Sequence, residues 1–100
     1  MPQLKFSVPH ALPRQEALNR IKNMLAELQK VHQENISDVH EEWKDNVGSF
    51  SLKAKGFQIS GNITVNESDV ELNSDVPFAV TLFSGTIKNM ISKKAEELLS

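Results

Sequence analysis

From Val39 to Val76 apolar and polar residues alternate, and only short turns break the alternation. Successive side chains of a strand point to opposite faces, so this pattern dictates strands with one oily side. Phe50, Leu52 and Ala54 oppose Ser49, Ser51 and Lys53. Phe57, Ile59, Gly61, Ile63 and Val65 oppose Gln58, Ser60, Asn62 and Thr64. Val70, Leu72 and Val76 oppose Glu71, Asn73 and Asp75. The segment with Val39, Glu41 and Trp43 on one face and His40, Glu42 and Lys44 on the other is the least decisive, because Glu41 falls on the apolar side. Asp45-Asn46, Gly56 and the stretch from Asn66 to Asp69 supply turns, since Asn, Asp and Gly tolerate left-handed backbone angles. Parallel pairing needs a crossover of about a dozen residues, so neighbours joined this tightly must be antiparallel.

A different period flanks this region. Leu4, Phe6 and Val8 alternate as one more short strand, which Pro9 ends. Pro13 stands where a helix tolerates proline, at its first position. From there to about His32, Ala17, Leu18, Ile21, Met24, Leu25, Leu28 and Val31 recur in steps of three and four, the stripe of an amphipathic helix. Arg14, Arg20, Lys22, Glu27 and Lys30 fall mostly on its other side. After Pro77 a last helix is expected between Phe78 and Leu99, with Val80, Phe83, Ile87, Met90, Ile91, Ala95, Leu98 and Leu99 as its stripe; Gly85 either kinks it or marks a late start.

The expected architecture is therefore α+β, in the order β-α-β-β-β-β-α. A five-stranded curved antiparallel sheet carries two helices packed on one face, the arrangement that lets each oily surface cover another. A chain of 100 residues makes this a single domain, 1–100. The element order is similar to the TATA-binding-protein-like, or helix-grip, architecture in reduced form. The residues resemble a particular family as well. Val8-Pro9-His10-Ala11-Leu12 leads into the first helix. Trp43-Lys44-Asp45, Phe57-Gln58-Ile59-Ser60-Gly61-Asn62-Ile63, Val76-Pro77-Phe78 and Gly85-Thr86-Ile87 follow. Together they resemble the polyhydroxyalkanoic acid system proteins, small bacterial proteins named for a gene neighbourhood near polyester-granule genes. The resemblance spans essentially the whole chain. It implies a link to the polyhydroxyalkanoate granule or a granule-associated protein, and it carries no catalytic residue.

Charge and motif exclude several functions. Thirteen acidic against eleven basic residues give a net charge of −2. The polar sheet face sets Lys44, Lys53 and Lys55 against Glu42, Glu71 and Asp75, so it lacks the cationic surplus of a nucleic-acid binder. With no cysteine there is no thiol chemistry. His40-Glu41-Glu42 is the nearest approach to a metal motif, but on a strand Glu41 points away from the other two, so no metal site is expected. No cofactor fingerprint occurs among the four glycines, which stand apart. The longest uncharged stretch, Val76 to Ile87, holds Pro77, Ser84 and Gly85 and is too short for a membrane span. The first thirty residues show no secretory-signal pattern, so a cytoplasmic location is the expectation.

Two features remain as candidates. His10 lies between Pro9 and the first helix, where its ring caps free N–H groups or serves as a switch. Phe78, Leu82 and Phe83 crowd together with Val80 at angles that one helical stripe cannot hide, so they form either core at the strand–helix junction or an interaction surface. The function expected is that of a small non-catalytic interaction protein, with a second copy of itself or the granule as partner. The alternative is a carrier of a small apolar ligand between helix and sheet.

Overall fold

The computed structural model describes residues 3–77 and 84–100. Strand β1 (Gln3–Pro9) leads to helices α1 (Arg14–Ile21) and α2 (Met24–Val31). Four strands follow, β2 (Ile36–Lys44), β3 (Val47–Ala54), β4 (Phe57–Val65) and β5 (Asp69–Asp75), and helix α3 (Ser84–Leu99) comes last. They form a five-stranded sheet in the order β1-β5-β4-β3-β2, and every pair is antiparallel. The expected β-α-β-β-β-β-α order holds, with β1 and β2 as the two edges.

The N-terminal helix is bent into two segments rather than straight. Proline takes the position before the first helical residue, with its carbonyl accepting from the Ala17 N–H at 3.0 Å. The bend falls at Lys22-Asn23. There the Asn23 N–H turns from the regular partner four residues back to the Arg20 carbonyl, at 3.4 Å, so one rung of the ladder is lost. The apolar stripe runs on across the break through Ala17, Leu18, Ile21, Met24, Leu25 and Leu28, all buried. Bending lets α1 lie over β4 and α2 over β2, while both touch α3.

Leu52, Ile59, Ile63, Val65, Val70 and Leu72 fill the sheet side of the core, and Ile91, Ala95 and Leu99 face it from α3. Ser74 shares this inner face and is 3 % exposed; its hydroxyl donates to the Ser60 carbonyl at 3.1 Å, which removes the cost of burying it. Gly61 sits where β4 and β5 come so close that a Cβ would overlap the Asn73 carbonyl and the Ser74 Cα. Glycine is needed there for room rather than for an unusual backbone angle. The β3–β4 turn does need unusual angles: Lys55 (φ 52) and Gly56 (φ 84) are both left-handed. Edge strand β2 is interrupted by a register shift between Ser37 and His40, with Asp38 at φ 52. A bulge of this kind makes the edge a poor template for a further strand.

That bulged edge also explains the ambiguity of the β2 pattern. Glu41 and Trp43 do lie on the inner face, and both are half-buried. The Trp43 ring lies against Gly48, filling the place of the missing Cβ. Burial lifts the Glu41 carboxyl above its ordinary range, and the nearby Trp43 indole opposes part of that rise. The indole does not reach hydrogen-bond geometry: Trp43 Nε1 and Glu41 Oε1 are both buried with no hydrogen-bond partner.

A candidate binding groove along the seam of two helices

Helix α2 ends in a polar run, His32-Gln33-Glu34-Asn35, that folds back at once into β2. The His32 N–H still bonds the Leu28 carbonyl at 2.9 Å, and the His32 carbonyl then accepts from Asn35 at 2.9 Å and Ile36 at 2.8 Å. The Asn35 carbonyl in turn accepts from the Lys55 N–H at 2.8 Å, which ties this loop to the β3–β4 turn. One corner of the molecule is thus fixed by backbone bonds. The opening turns of α3 pass beside it.

Between these parts lies a cleft of about 320 Å³. Its apolar wall is Ile36, Ala54, Ile87 and Met90; its polar rim is His32, Asn35, Lys55 and Thr86. Among the described residues no carboxylate lines it. The cleft continues through His32 and Met90 into a groove of about 390 Å³ along the α2–α3 seam, where Leu28 and Val31 face Lys93, Lys94 and Glu97. Lys94 is held between two carboxylates, with Nζ 4.0 Å from Glu27 and 3.9 Å from Glu97. Among the described residues Lys93 has no ion-pair partner, so the groove keeps a cationic edge over an apolar floor.

Val31 is the unexpected member of this surface. The stripe pattern puts it in the core, yet it is 69 % exposed, far more than Val47, the other exposed large apolar residue among those described. Two steps of three residues rotate Val31 by about 120° from Leu25, to the margin of the stripe, and the helix stops there. That rotation is readable from the spacing, and the helix ends where the pattern places it, at about His32, its C-cap residue.

His10 does not line the groove. Its ring bridges the exit of β1 to the β4–β5 turn: Nδ1 accepts from the Leu12 N–H at 3.2 Å, which leaves Nε2–H to donate to the Asn66 carbonyl at 3.0 Å. Its backbone N–H bonds the Ser68 carbonyl at 2.9 Å. The N–H it caps belongs to Leu12, two residues before α1 begins. Phe78, Leu82 and Phe83 lie outside the described residues. His40 and Glu42 share the outer face of β2 and Glu41 the inner one; among the described residues no three His, Asp or Glu side chains converge as metal ligands would. No helix among them is long and apolar enough to cross a membrane.

No curated protein matches the chain. A family model does, over residues 4–99, and that span takes in every strand and helix described but for Gln3 at the head of β1, including both walls of the groove. The chain belongs to the family described as Putative polyhydroxyalkanoic acid system protein.

Proposed function

We propose that this chain is a non-catalytic cytoplasmic interaction protein of the polyhydroxyalkanoic acid system, and that it docks on the surface of polyester granules through the α2–α3 groove. The observation that carries this reading is Val31, exposed on an apolar floor of Leu28 and Met90 and edged by Lys93 and Lys94. A lone exposed aliphatic side chain is ordinary, but Val31 extends the apolar floor of Leu28 and Met90 into one contiguous patch, and such patches mark surfaces that another body covers. Family membership supplies the context. The reading assigns no reaction to the chain. It gives no role to nucleic acid either, because Lys5, Lys44 and Lys53 on the outer sheet face are offset by Glu42, Glu71 and Asp75.

The strand order β1-β5-β4-β3-β2, with all helices against one face, supports the helix-grip likeness as well. In that architecture the space between helices and sheet is where an apolar ligand would sit, which is the second reading. Here the enclosed space between the two layers, lined by residues such as Leu25, Phe50 and Ile91, amounts to about 20 Å³. A ligand pocket needs about 300 Å³ or more, so a carrier would have to open its layers first.

Co-sedimentation tests the docking reading. The chain should pellet with native granules and with bare polyester particles. Retention on native granules alone would replace the polyester by a granule-bound protein as partner. Retention on neither would end the reading. Light scattering on the free chain tells whether a second copy already covers the groove.

A further inference from the structure

The cleft at the head of the groove differs chemically from the groove itself. Its wall is apolar: Ile36 and Ala54 are buried, 4 % and 7 % exposed, and Ile87 and Met90 are half-buried. Its rim carries the imidazole of His32, the amide of Asn35, the hydroxyl of Thr86 and the ammonium of Lys55. All four offer donors, and among the described residues no acidic side chain lines the cleft. Among the described residues the side chains of His32, Asn35 and Thr86 have no hydrogen-bond or ion-pair partner. The backbone acceptors of the loop are already used: the His32 carbonyl takes two N–H groups and the Asn35 carbonyl takes that of Lys55. A volume of about 320 Å³ falls in the range of small-molecule sites.

We propose that this cleft binds a small amphiphilic carboxylate of the 3-hydroxyalkanoate class, with the carboxylate and hydroxyl at the rim of His32, Asn35 and Thr86 and the alkyl chain against Ile36, Ile87 and Met90. A carboxylate has only acceptors, so it complements a rim of donors. The apolar wall needs a hydrocarbon, and an alkyl chain on a hydroxy acid supplies both parts in one molecule. The choice of the hydroxy acid among amphiphilic acids rests on the proposed place of the chain in the polyhydroxyalkanoic acid system. Two sources carry this chemistry, the free acid and the carboxyl end of a polyester chain. The groove that leaves the cleft along α2 and α3 has room for more than one unit.

Amide-resolved NMR titration of the full chain tests this, with four probes: 3-hydroxyoctanoate, octanol, a short linear 3-hydroxyoctanoate oligoester with a free carboxyl end, and its methyl ester. Signals of His32, Asn35, Lys55 and Thr86 should move with 3-hydroxyoctanoate, which should bind about tenfold tighter than octanol, the value of one charge-assisted hydrogen bond. Thr86→Trp, at an exposed rim position, should block the shifts while leaving the remaining spectrum folded. His32→Ala should weaken binding by about tenfold. If the free-ended oligoester binds and its methyl ester does not, the chain end is a ligand; if only the free acid binds, the ligand is the monomer. Equal binding of octanol, or shifts that survive Thr86→Trp, would overturn the site. No binding of any probe by a chain that still pellets with granules would overturn the ligand and leave the docking reading standing.

Discussion

The guanidinium of Arg20 donates through Nη1 to the Leu98 carbonyl at 3.0 Å, and through the same nitrogen to the Ser100 carbonyl at 3.0 Å. Its other nitrogens hold Glu16 Oε1 at 3.0 and 3.2 Å. Arg20 therefore closes the C-terminal end of α3, where carbonyls have no partner within the helix and the helix dipole favours a cation. The fold brings the bent first helix against the end of the last one, and this single side chain records that contact.

Replacing Arg20 by Met keeps the aliphatic stem and removes the donors. The expected loss is about 1–2 kcal/mol, because the group is part-exposed and its bonds are to carbonyls. Urea denaturation reads it as a lower midpoint with an unchanged slope. Hydrogen exchange should show the loss first in the last turn of α3. An unchanged midpoint would mean that the helix end is held by packing of Leu99 alone.

Glu41 gives a pH-dependent prediction. Its native carboxyl titrates above the ordinary value because burial disfavours the anion. Between the ordinary and the raised value the folded chain keeps a proton that the unfolded chain has lost, so stability falls as pH rises through that window and is level above it. Glu41→Gln removes the penalty. The variant should be more stable than the parent at pH 7, and the gap should close on acidification to about pH 3, where the carboxyl is neutral in both states. Denaturation curves at the two pH values check it. A variant less stable at pH 7 would show that the carboxylate is well paired.

Gly61→Ala should be among the most damaging single-methyl changes. The added Cβ meets backbone of β5, which cannot rotate away as a side chain would. A cost of about 1–3 kcal/mol or more is expected, the range for overpacking. Gly85→Ala is the control, since among the described residues nothing lies within 4 Å of a Cβ placed there, and it should be neutral or slightly stabilising as a helix substitution. Equal effects at the two positions would contradict the close approach of β4 and β5.

Most of the fold was legible because it rests on period. The strands from β3 to β5 bury the residues that alternation assigned to the apolar face, save Phe57 and Gly61, which are half-buried, and the turns fall at Asp45-Asn46, Lys55-Gly56 and after Asn66. The break at Lys22-Asn23 was not legible, since the apolar stripe passes through it unaltered and neither residue breaks helices strongly. Ser74 was hidden in the same way: its place on the inner face follows from the register, but only a tertiary partner, the Ser60 carbonyl, makes it tolerable. The groove was the least legible part. Its residues come from α2, the β3–β4 turn and α3, which are distant in sequence, and Val31 looked like one more member of a buried stripe. Phe78, Leu82 and Phe83, the surface that local crowding suggested, lie outside the described residues.

Docking through α2 and α3 is tested most directly by hydrogen exchange of the intact chain with and without polyester granules. Protection should rise in peptides covering Leu28 to His32 and Met90 to Lys94, and Val31→Gln should abolish it with little change in the unfolding midpoint, because Val31 is already in water and a neutral side chain leaves the dipole at the end of α2 undisturbed. Protection confined to the outer sheet face, or no change at either helix in a chain that still pellets, would contradict it.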